Sequence, residues 1–388
     1  MTPASTTHAP PRALPSVRVV DGTPADVGIV HDYLNQRGGA ERVVLELADM
    51  WPAAPIYTSF YRAGSTFPEY GDRDIRRSFI DRLPVDRGFR SLAPLYPAAF
   101  RSLGTLEHDL VISSSSGWAH GVRTAPGATH VVYCYAPARW LYGQTPFLRP
   151  PSRRTALGAL LAGLRRWDQA AARRPDAYIA IAENVRRRIR AAYGIDAPVV
   201  YPPVDTARFE PRERGQRLLV VSRLLQYKRI DLAVRAATRA GIGLDVVGVG
   251  PTLDELRGVA GPTVTFHGRL DDRAVTELIE GCRAVIVPAA EDFGMVPIEA
   301  NAAGKPVVAF AGGGALETLE DGVTAALFHE STVESVLEAL HRVDRLPTPP
   351  AELHRRAERF GREAFRESFR AAVGRVLAAR RGALPVAA

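Results

Sequence analysis

The sequence is poor in cysteine, in lysine and in long apolar runs, and each shortage excludes a class of protein. Among its 388 residues are two cysteines, Cys134 and Cys282, and it has no CxxC pair and no HExxH motif. This argues against a disulfide framework or a structural zinc site and favours a reducing compartment. No run approaches the ~20 apolar residues of a membrane span. Residues 1–18 lack the apolar segment of a signal peptide, so we expect residues 1–20 to be a disordered tail of a cytoplasmic protein.

Almost all basic residues are arginines, and many of them lie in one region of the chain. The 50 basic residues include two lysines, Lys228 and Lys305, and the net charge is +8. Residues 151–190 hold ten arginines and three acidic residues in a helical pattern with leucine and tryptophan. Such a face fits peripheral contact with anionic lipid at the cell membrane or with a phosphate-bearing acceptor, and it fits a solvated surface equally well. Without interleaved stacking aromatics we expect no nucleic-acid partner.

Short runs rich in Val and Ile alternate with longer helical patterns along most of the chain. Runs of this kind are typical of strands buried on both faces of a parallel sheet. The predicted strands are 25–30, 109–113, 130–136, 177–182, 198–204, 217–224, 244–250, 264–268, 284–289 and 306–310. Two such series, separated near 201–216, predict an α/β protein with two Rossmann-like domains. We place their boundaries at 21–205 and 206–360.

Loops after the predicted strands carry the candidate binding residues, because ligands of open parallel sheets bind beyond the carboxyl ends of the strands. Gly38-Gly39 precedes a helical pattern with Glu41 in its first turn, which indicates either an anion site or a tight turn. Arg223 ends a strand and Lys228 follows near a helix start, a pair suited to a diphosphate. In an arginine-rich chain, a lysine here suggests a compact point charge.

Two further loops end in glycine, around Gly250 and before Arg269-Leu270, and either would let a flat base approach the main chain or serve as a plain connection. After the run 284–289 comes "AEDFG", then a helical stretch with Pro297 in its first turn and Gly304 at its end. Glu291 therefore lies at the cleft. Glu299, about one turn into the helix, either reaches the same ligand or is an ordinary first-turn acid.

Several segments resemble those of one known family. "EDFGMVPIEANAAGKPVVA" (291–309) fits the E-x7-E signature of glycosyltransferase family 4, and "SRLLQYKRIDLAV" (222–234) fits its Arg/Lys phosphate motif. The linker "VVYPPVDTARF" and the segment "AERFGREAFRESFRAAV" also resemble those enzymes. Nearly all of the chain from about residue 25 is thus similar to retaining glycosyltransferases of the GT-B fold. The resemblance implies two domains closing on a nucleotide-sugar, with residues 361–388 crossing back to the first domain.

The resemblance also implies roles for individual residues. Arg223 and Lys228 would bind the donor diphosphate, Glu291 the sugar hydroxyls and Glu299 the ribose. The family generally needs no metal, so we expect no cofactor, and Asp72-Arg73-Asp74 is interpreted as incidental. The remaining donor-side candidates are Gly39, Gly250, Arg269, Leu270, Phe293, Gly294, Met295 and Val296.

Two other segments, "HDLVISSSSGWAHGVR" and "HVVYCYAPARWLYG", resemble a subgroup of mannosyltransferases that build bacterial surface polysaccharides. Where this chain has Ser116, His120 and Tyr135, that subgroup tends to have histidine, lysine and histidine, in that order. Both have arginine at position 139. We take Tyr135 and Arg139 as acceptor-side residues. His120 is either a catalytic contact to the transferred sugar or a loop histidine without that role.

The sequence therefore predicts a retaining hexosyltransferase that uses a nucleotide-sugar, with GDP-mannose as the first expectation for the donor and a UDP-sugar as the second. The expected acceptor is a hydroxyl of a glycan, a glycolipid or a polyprenyl-linked saccharide. Two alternatives remain: a nucleotide-sugar 2-epimerase on the same fold, and a non-enzymatic scaffold that binds membrane or glycan through 151–190.

Overall fold

The computed structural model describes residues 19–20, 23–24, 26–83, 89–139, 141–142 and 154–382. The predicted tail lies outside the described residues except for Val19–Val20, which pairs with Thr23–Pro24. Residues 151–153 of the arginine-rich region and 383–388 of the predicted C-terminal segment also lie outside them.

In the described residues, the first half of the chain forms one six-stranded sheet, which has helices on its faces, and two two-stranded sheets. Its strands are β1 (Val19–Val20), β2 (Thr23–Pro24), β3 (Val27–His31), β4 (Ile56–Thr58), β5 (Ile75–Arg77), β6 (Thr105–Leu106), β7 (Leu110–Ser115), β8 (Arg123–Thr124), β9 (Thr129–Cys134) and β10 (Ala177–Ala180). Its helices are α1 (Gly39–Met50), α2 (Tyr96–Ser102), α3 (Arg154–Ala172) and α4 (Glu183–Tyr193), with 3₁₀ turns at Ala63–Ser65, Pro68–Asp72, Phe79–Arg82, Phe89–Leu95 and Ala119–Gly121.

The second half repeats this plan. Its strands are β11 (Leu218–Val221), β12 (Leu244–Val247), β13 (Val264–Gly268), β14 (Ala284–Val287), β15 (Val307–Phe310) and β16 (Ala325–Phe328). Its helices are α5 (Ile230–Ala240), α6 (Leu253–Gly258), α7 (Asp272–Gly281), α8 (Met295–Ala302), α9 (Ala315–Thr318), α10 (Val333–Val343), α11 (Pro350–Ala357) and α12 (Arg362–Gly382), with 3₁₀ turns at Thr206–Arg208, Gln226–Lys228 and Glu358–Phe360.

Both large sheets are parallel and share one strand order. The first is β10-β9-β7-β3-β4-β5 and the second is β13-β12-β11-β14-β15-β16. Numbered along the chain, the second runs 3-2-1-4-5-6, the order of the Rossmann fold, which has a crevice where the winding reverses. The crevice lies between β3 and β7 in the first sheet and between β11 and β14 in the second. The prediction of two Rossmann-like domains is confirmed.

One predicted strand is wrong, and some strands were missed. Residues 198–204 form only single bridges, from Val199 to Ala180 and from Val204 to Gly361. Pro202 and Pro203 have no backbone N–H to donate to a ladder, which is the physical reason. The strands β4, β5 and β16, each three or four residues long, lie outside the predicted runs.

An apolar cluster joins the two halves. Tyr201 in the linker stacks on Phe293 with ring centroids 5.6 Å apart, and Phe360 packs edge-on against both. The chain then returns to the first half through α12, where Phe369 lies 5.5 Å from the ring of Tyr133. On the same helix, Arg362 and Arg366 pair with the buried carboxylate of Glu46 in α1.

A helix of the described ranges could cross a membrane only if it were long and apolar enough. None of the helices in those ranges combines the length and the apolar character that a crossing requires.

Candidate active site

The crevice of the second sheet brings together three of the predicted residues. Arg223 and Lys228 follow β11, and Glu291 follows β14, the neighbouring strand across the switch point. The Lys228 ammonium group donates a hydrogen bond to Glu291 Oε1. The side chain of Lys228 is 12% exposed and that of Glu291 is 27% exposed, so a ligand can reach the pair. Arg223 is exposed, and no ion pair involves it within the described ranges.

Glycines allow the loops of this crevice to lie close together. A Cβ on Gly250 would come within 2.1 Å of the Leu224 carbonyl oxygen, next to Arg223. A Cβ on Gly248, whose φ is +137°, would meet the Ser222 carbonyl at 1.8 Å. The loop after β12 therefore packs on the loop that carries Arg223, which any larger residue at either position would prevent.

The start of α8 lies at the same crevice, because a short loop joins it to the end of β14. Gly294 precedes the helix with a φ of +85°, a conformation that favours glycine. The first-turn amides at Met295 and Val296 have no partner within the helix, as is general for helix N-termini. Phe293 is buried in the aromatic cluster that joins the two halves, so its side chain positions the loop.

Glu299 lies one turn into α8, where its carboxylate is bound by the linker. Arg208 Nη2 donates to Glu299 Oε1 at 3.0 Å. Burial raises the pKa of Glu299, while Arg208 and Arg42 act in the opposite direction. The predicted ribose contact of Glu299 stays a prediction, and the structure adds that Arg208 orients this carboxylate.

The first half contributes Gly39 to the inter-domain contact. A Cβ there would lie 2.7 Å from Sδ of Met295, so the start of α1 faces the start of α8 with little space between them. Close by, Arg42 of α1 pairs with Asp272 of α7 at 2.6 Å. The carboxyl edges of the two sheets therefore face each other across a narrow cleft.

In contrast, the crevice of the first sheet is filled by its own side chains. Asp32, after β3, accepts hydrogen bonds from the backbone N–H groups of Ser116, Trp118 (3.1 Å) and Ala119 (2.7 Å). Its side chain is buried, and burial raises its pKa despite the opposing effects of His31 and these amides. Asp32 therefore holds the loop after β7 and presents Ser116, which is exposed, at the cleft edge.

Next to Asp32, a second set of buried polar groups lies under α1. His31 Nδ1 is 3.0 Å from Ser114 Oγ, which is 2.8 Å from the hydroxyl of Tyr135. Glu41 is buried in the first turn of α1, and a Cβ on Gly38 would come within 2.6 Å of its Oε2. The carboxylate of Glu41 thus occupies the start of α1, the place that the sequence pattern assigned to an anion or to a turn.

The acceptor-side candidates fall in two different environments. His120 is buried, with Nε2 3.2 Å from Asp168 Oδ1 outside hydrogen-bond geometry and Nδ1 3.4 Å from Ser115 Oγ. Its contacts therefore belong to the interior of the first half. Arg139 instead crosses the cleft and pairs with Asp292 in the loop between Glu291 and Phe293.

Two protein-family models match the chain, one mainly in each half. Residues 37–208 match the model "Glycosyltransferase Family 4", and residues 205–364 match "Glycosyl transferases group 1". Together with the two facing Rossmann-like sheets, these matches decide the architecture. The chain has the GT-B fold of glycosyltransferases.

Curated relatives of this GT-B protein match it over part of their length. It is 33% identical to the D-inositol 3-phosphate glycosyltransferase of Actinosynnema mirum over 182 residues, 38% of this chain and 43% of that relative. It is 32% identical to the GDP-mannose-dependent alpha-(1-6)-phosphatidylinositol monomannoside mannosyltransferase of Mycolicibacterium smegmatis over 197 residues, 41% of this chain and 50% of that one. The chain thus spans about half the length of these relatives.

Solved GT-B structures superpose over most of both chains. Anabaena HepE, in complex with UDP and glucose, gives a TM-score of 0.65 at 18% identity, covering 90% of this chain and 99% of that one. The sucrose-phosphate synthase of Thermosynechococcus elongatus gives 0.69 at 17% identity, covering 91% and 100%. At these identities the likeness concerns the fold.

Three further residues near the GT-B cleft differ in their surroundings. Arg269 is exposed after the edge strand β13, and Leu270 packs on the core that joins the halves. Lys305 has a structural role, since its buried ammonium group donates to the carbonyl of Arg212 at 2.6 Å and to that of Glu213. The two lysines of the chain therefore serve different purposes.

Away from the cleft, a cavity of about 550 Å³ opens near the amino ends of the strands in the first half, between Asp26, Tyr57, Arg76 and His108. None of the predicted site residues lines it. In the described ranges, no three His, Cys, Asp or Glu side chains cluster as a metal site would.

Sequence reasoning missed several residues that shape the cleft. Asp32 follows the last residue of β3, and Asp292 follows Glu291 in the loop after β14. Their partners are about 80 to 150 positions away in the sequence. A polar residue directly after a buried strand was the available signal for Asp32. The contacts of Arg208, Arg188 and Glu317 had no local signal because they depend on how the halves meet.

Proposed function

We propose that this protein is a retaining glycosyltransferase that moves a sugar from a nucleotide-sugar to a hydroxyl group. The contact of Lys228 with Glu291 beside Arg223, at the switch point of the second sheet, carries the proposal. Lys228, a cation for a diphosphate, contacts Glu291, a carboxylate for sugar hydroxyls, and Arg223 follows the same strand as Lys228. Without a ligand, the charges of Lys228 and Glu291 neutralise each other, and this contact holds both side chains at the crevice.

The same residues support a mechanism based on electrostatic stabilisation. The donor diphosphate binds to Arg223, to Lys228 and to the first-turn amides of α8, and these groups stabilise the negative charge of the leaving diphosphate. Glu291 then accepts hydrogen bonds from the sugar. The acceptor hydroxyl attacks from the face that the diphosphate leaves, and we assign no protein nucleophile. Charge neutralisation falls to these side chains, so we propose that turnover does not require a divalent metal.

For the donor we propose GDP-mannose, with a UDP-sugar as the second candidate. The name of the M. smegmatis relative includes GDP-mannose, and the matched part of the two chains includes 32% identical residues. HepE was solved as a complex with UDP and glucose, at an identity that bears on the fold. The names of both curated relatives include inositol compounds that carry phosphate, which supports an acceptor with a phosphate group near its hydroxyl.

The test begins with thermal denaturation in the presence of GDP, UDP, ADP and their sugar conjugates, with and without EDTA. A ligand that binds only the folded protein raises its Tm by mass action. We expect the GDP compounds to give the largest shift, unchanged by EDTA, and Arg223→Ala and Lys228→Ala to lose it while keeping their fold. Shifts with UDP compounds alone would replace the donor, and no shift with any nucleotide would contradict the proposal.

We also propose that the arginine-rich region contacts an anionic membrane surface through α3. In that helix Arg165 and Arg166 are exposed, and Leu160 is 42% exposed. Arg186 and Arg188 of α4, in contrast, form ion pairs within the protein. Flotation with vesicles of anionic lipid should show weaker binding in Arg166→Gln, since one arginine near the surface contributes about 1 kcal/mol, whereas Arg186→Gln is the matched control and binds like the parent. Equal binding to neutral and anionic vesicles would contradict this contact.

A further inference from the structure

Asp292, in the loop after β14, is bound by three residues of the first half. The guanidinium groups of Arg139 and Arg188 both pair with its carboxylate. Asn184 Nδ2 donates to its backbone carbonyl oxygen at 2.5 Å. Side chain and main chain of Asp292 are therefore both bound by residues of the facing domain.

A second carboxylate from the same side completes the contact. Helix α4 begins after Ala182, which has no side-chain oxygen to cap it. Glu317 supplies the missing acceptor: its Oε2 receives the backbone N–H of Glu183 at 2.6 Å, and its Oε1 receives that of Asn184 at 2.9 Å. The first turn of α4 is thus capped by the other domain, and this cap exists only while the two domains are together.

The charges around Asp292 favour the same conclusion. Burial and the nearby Arg139 lower the pKa of Arg188 to about 10. This effect shows that the guanidinium groups of Arg139 and Arg188 lie close enough to repel each other. The carboxylate of Asp292, which pairs with both, offsets that repulsion. Both arginines belong to the first half, so neutralising Asp292 removes the attraction that joins them to the second half and leaves their mutual repulsion.

The position of Asp292 links this contact to the donor site. On one side is Glu291, which binds Lys228, and on the other is Phe293, which is buried in the aromatic cluster with Tyr201 and Phe360. A ligand that displaces Lys228 from Glu291 therefore acts on the residue next to Asp292. We propose that Asp292, together with Glu317, is a positioning residue that holds the domains closed and couples the donor loop to Arg139 on the acceptor side.

This inference rests on the proposed function only for the identity of the ligand, because closure is measured without one. Spin labels are placed at Glu69→Cys and Asp254→Cys, exposed positions in opposite halves. The native cysteines are buried and stay unlabelled. We expect a short, narrow distance distribution in the parent protein and a longer, broader one in Asp292→Asn/Glu317→Gln. Glu334→Gln, which removes an exposed ion pair with Arg239 inside the second half, is the matched control and leaves the distribution unchanged.

A second measurement separates positioning from simple structural damage. The affinities for GDP and UDP are compared in the parent, in Asp292→Asn and in Asp292→Glu. If the closed state falls to about one third of the population, the apparent Kd rises about threefold, and the glutamate variant restores it. Should the double variant lose its fold by circular dichroism, Glu317→Gln alone serves, since glutamine keeps one acceptor and loses the charge.

The outcomes are distinguishable from those of the proposed function. An unchanged distance distribution in the folded variants overturns the inference whatever the protein binds. Opening of the variants in a protein that binds neither nucleotide supports the inference and contradicts the proposed function. Opening with weaker nucleotide binding, restored by Asp292→Glu, supports both.

Discussion

The two halves of the protein have closely related sheets and use the crevice in opposite ways. In the second half, Arg223, Lys228 and Glu291 stand at the switch point, where a ligand can reach them. In the first half, the corresponding edge holds Asp32 and Glu41, both buried. The crevice of the second half has charged side chains that are accessible to a ligand, whereas the charged side chains at the crevice of the first half are buried.

The difference shows that topology provides a place for a ligand while the side chains decide whether the place is open. A buried carboxylate is stable only with partners, and Asp32 obtains three backbone N–H groups by ordering the loop after β7. That edge becomes a rigid wall carrying Ser116. At the corresponding edge of the second half, Lys228 and Glu291 are partners of each other, so a ligand can take the place of either partner.

The largest expected effect separates the two lysines. In the proposed mechanism, Lys228→Met removes a charge that stabilises the leaving diphosphate, so we expect turnover to fall about 10²- to 10³-fold and Tm to stay nearly unchanged. Lys305→Met should instead lower the free energy of unfolding by about 1–3 kcal/mol, since two buried carbonyl groups lose their donor. Steady-state kinetics and denaturant titrations on both variants measure this. Equal losses of turnover in the two folded variants would contradict the division of roles.

The next effect tests the wall of the first half. Asp32→Asn should lower the free energy of unfolding by about 2–4 kcal/mol, because an amide directs N–H groups at backbone N–H groups and leaves a buried network incomplete. Urea denaturation measures the loss. Asp74→Asn, which removes an exposed partner of Arg76 in the same half, should change stability by less than about 0.5 kcal/mol. Matching losses in the two variants would mean that the Asp32 hydrogen bonds do not matter.

A smaller effect tests the close packing of the open crevice. Gly250→Ala places a Cβ 2.1 Å from the Leu224 carbonyl, so the loop next to Arg223 must shift. We expect about 1–3 kcal/mol of destabilisation and weaker nucleotide binding. Gly258→Ala, in α6 with no atom within 4 Å of the new Cβ, should be neutral or stabilising by up to about 1 kcal/mol. Calorimetric titration with GDP compares them, and an unaffected Gly250→Ala would refute the packing argument.

The smallest effect uses the one cysteine in each half as a probe of opening. Burial raises the pKa of Cys282 to about 12 and raises that of Cys134 as well, so neither forms a thiolate readily. Neither should react with a thiol reagent in the native protein at pH 8. Loss of the Lys305 ammonium group raises the pKa of Cys282 further, but in Lys305→Met we expect Cys282 to react faster because the disturbed interior opens more often, while Cys134 stays protected. Faster labelling of Cys134 in that variant would show that the halves do not open separately.

Much of the site was predictable because its residues are local in sequence. Arg223 and Lys228 lie five positions apart after a buried strand, and Glu291, Gly294 and Glu299 lie within nine positions around a helix start. Strand ends and helix starts are set by short-range patterns, so these positions could be placed before the fold was known. The strand predicted at 198–204 failed because its apolar pattern conflicts with two prolines that cannot join a ladder.

The sequence by itself determined the α/β class, the two Rossmann-like halves and the loops that carry the donor-side candidates. Only the tertiary structure decided which charges face a ligand and which are neutralised inside. Arg208 reaches Glu299 across 91 positions, and Glu317 caps α4 across 133 or more. The reason is physical: hydrophobic periodicity reports whether a segment is buried, whereas the partner of a charge depends on how separate segments pack.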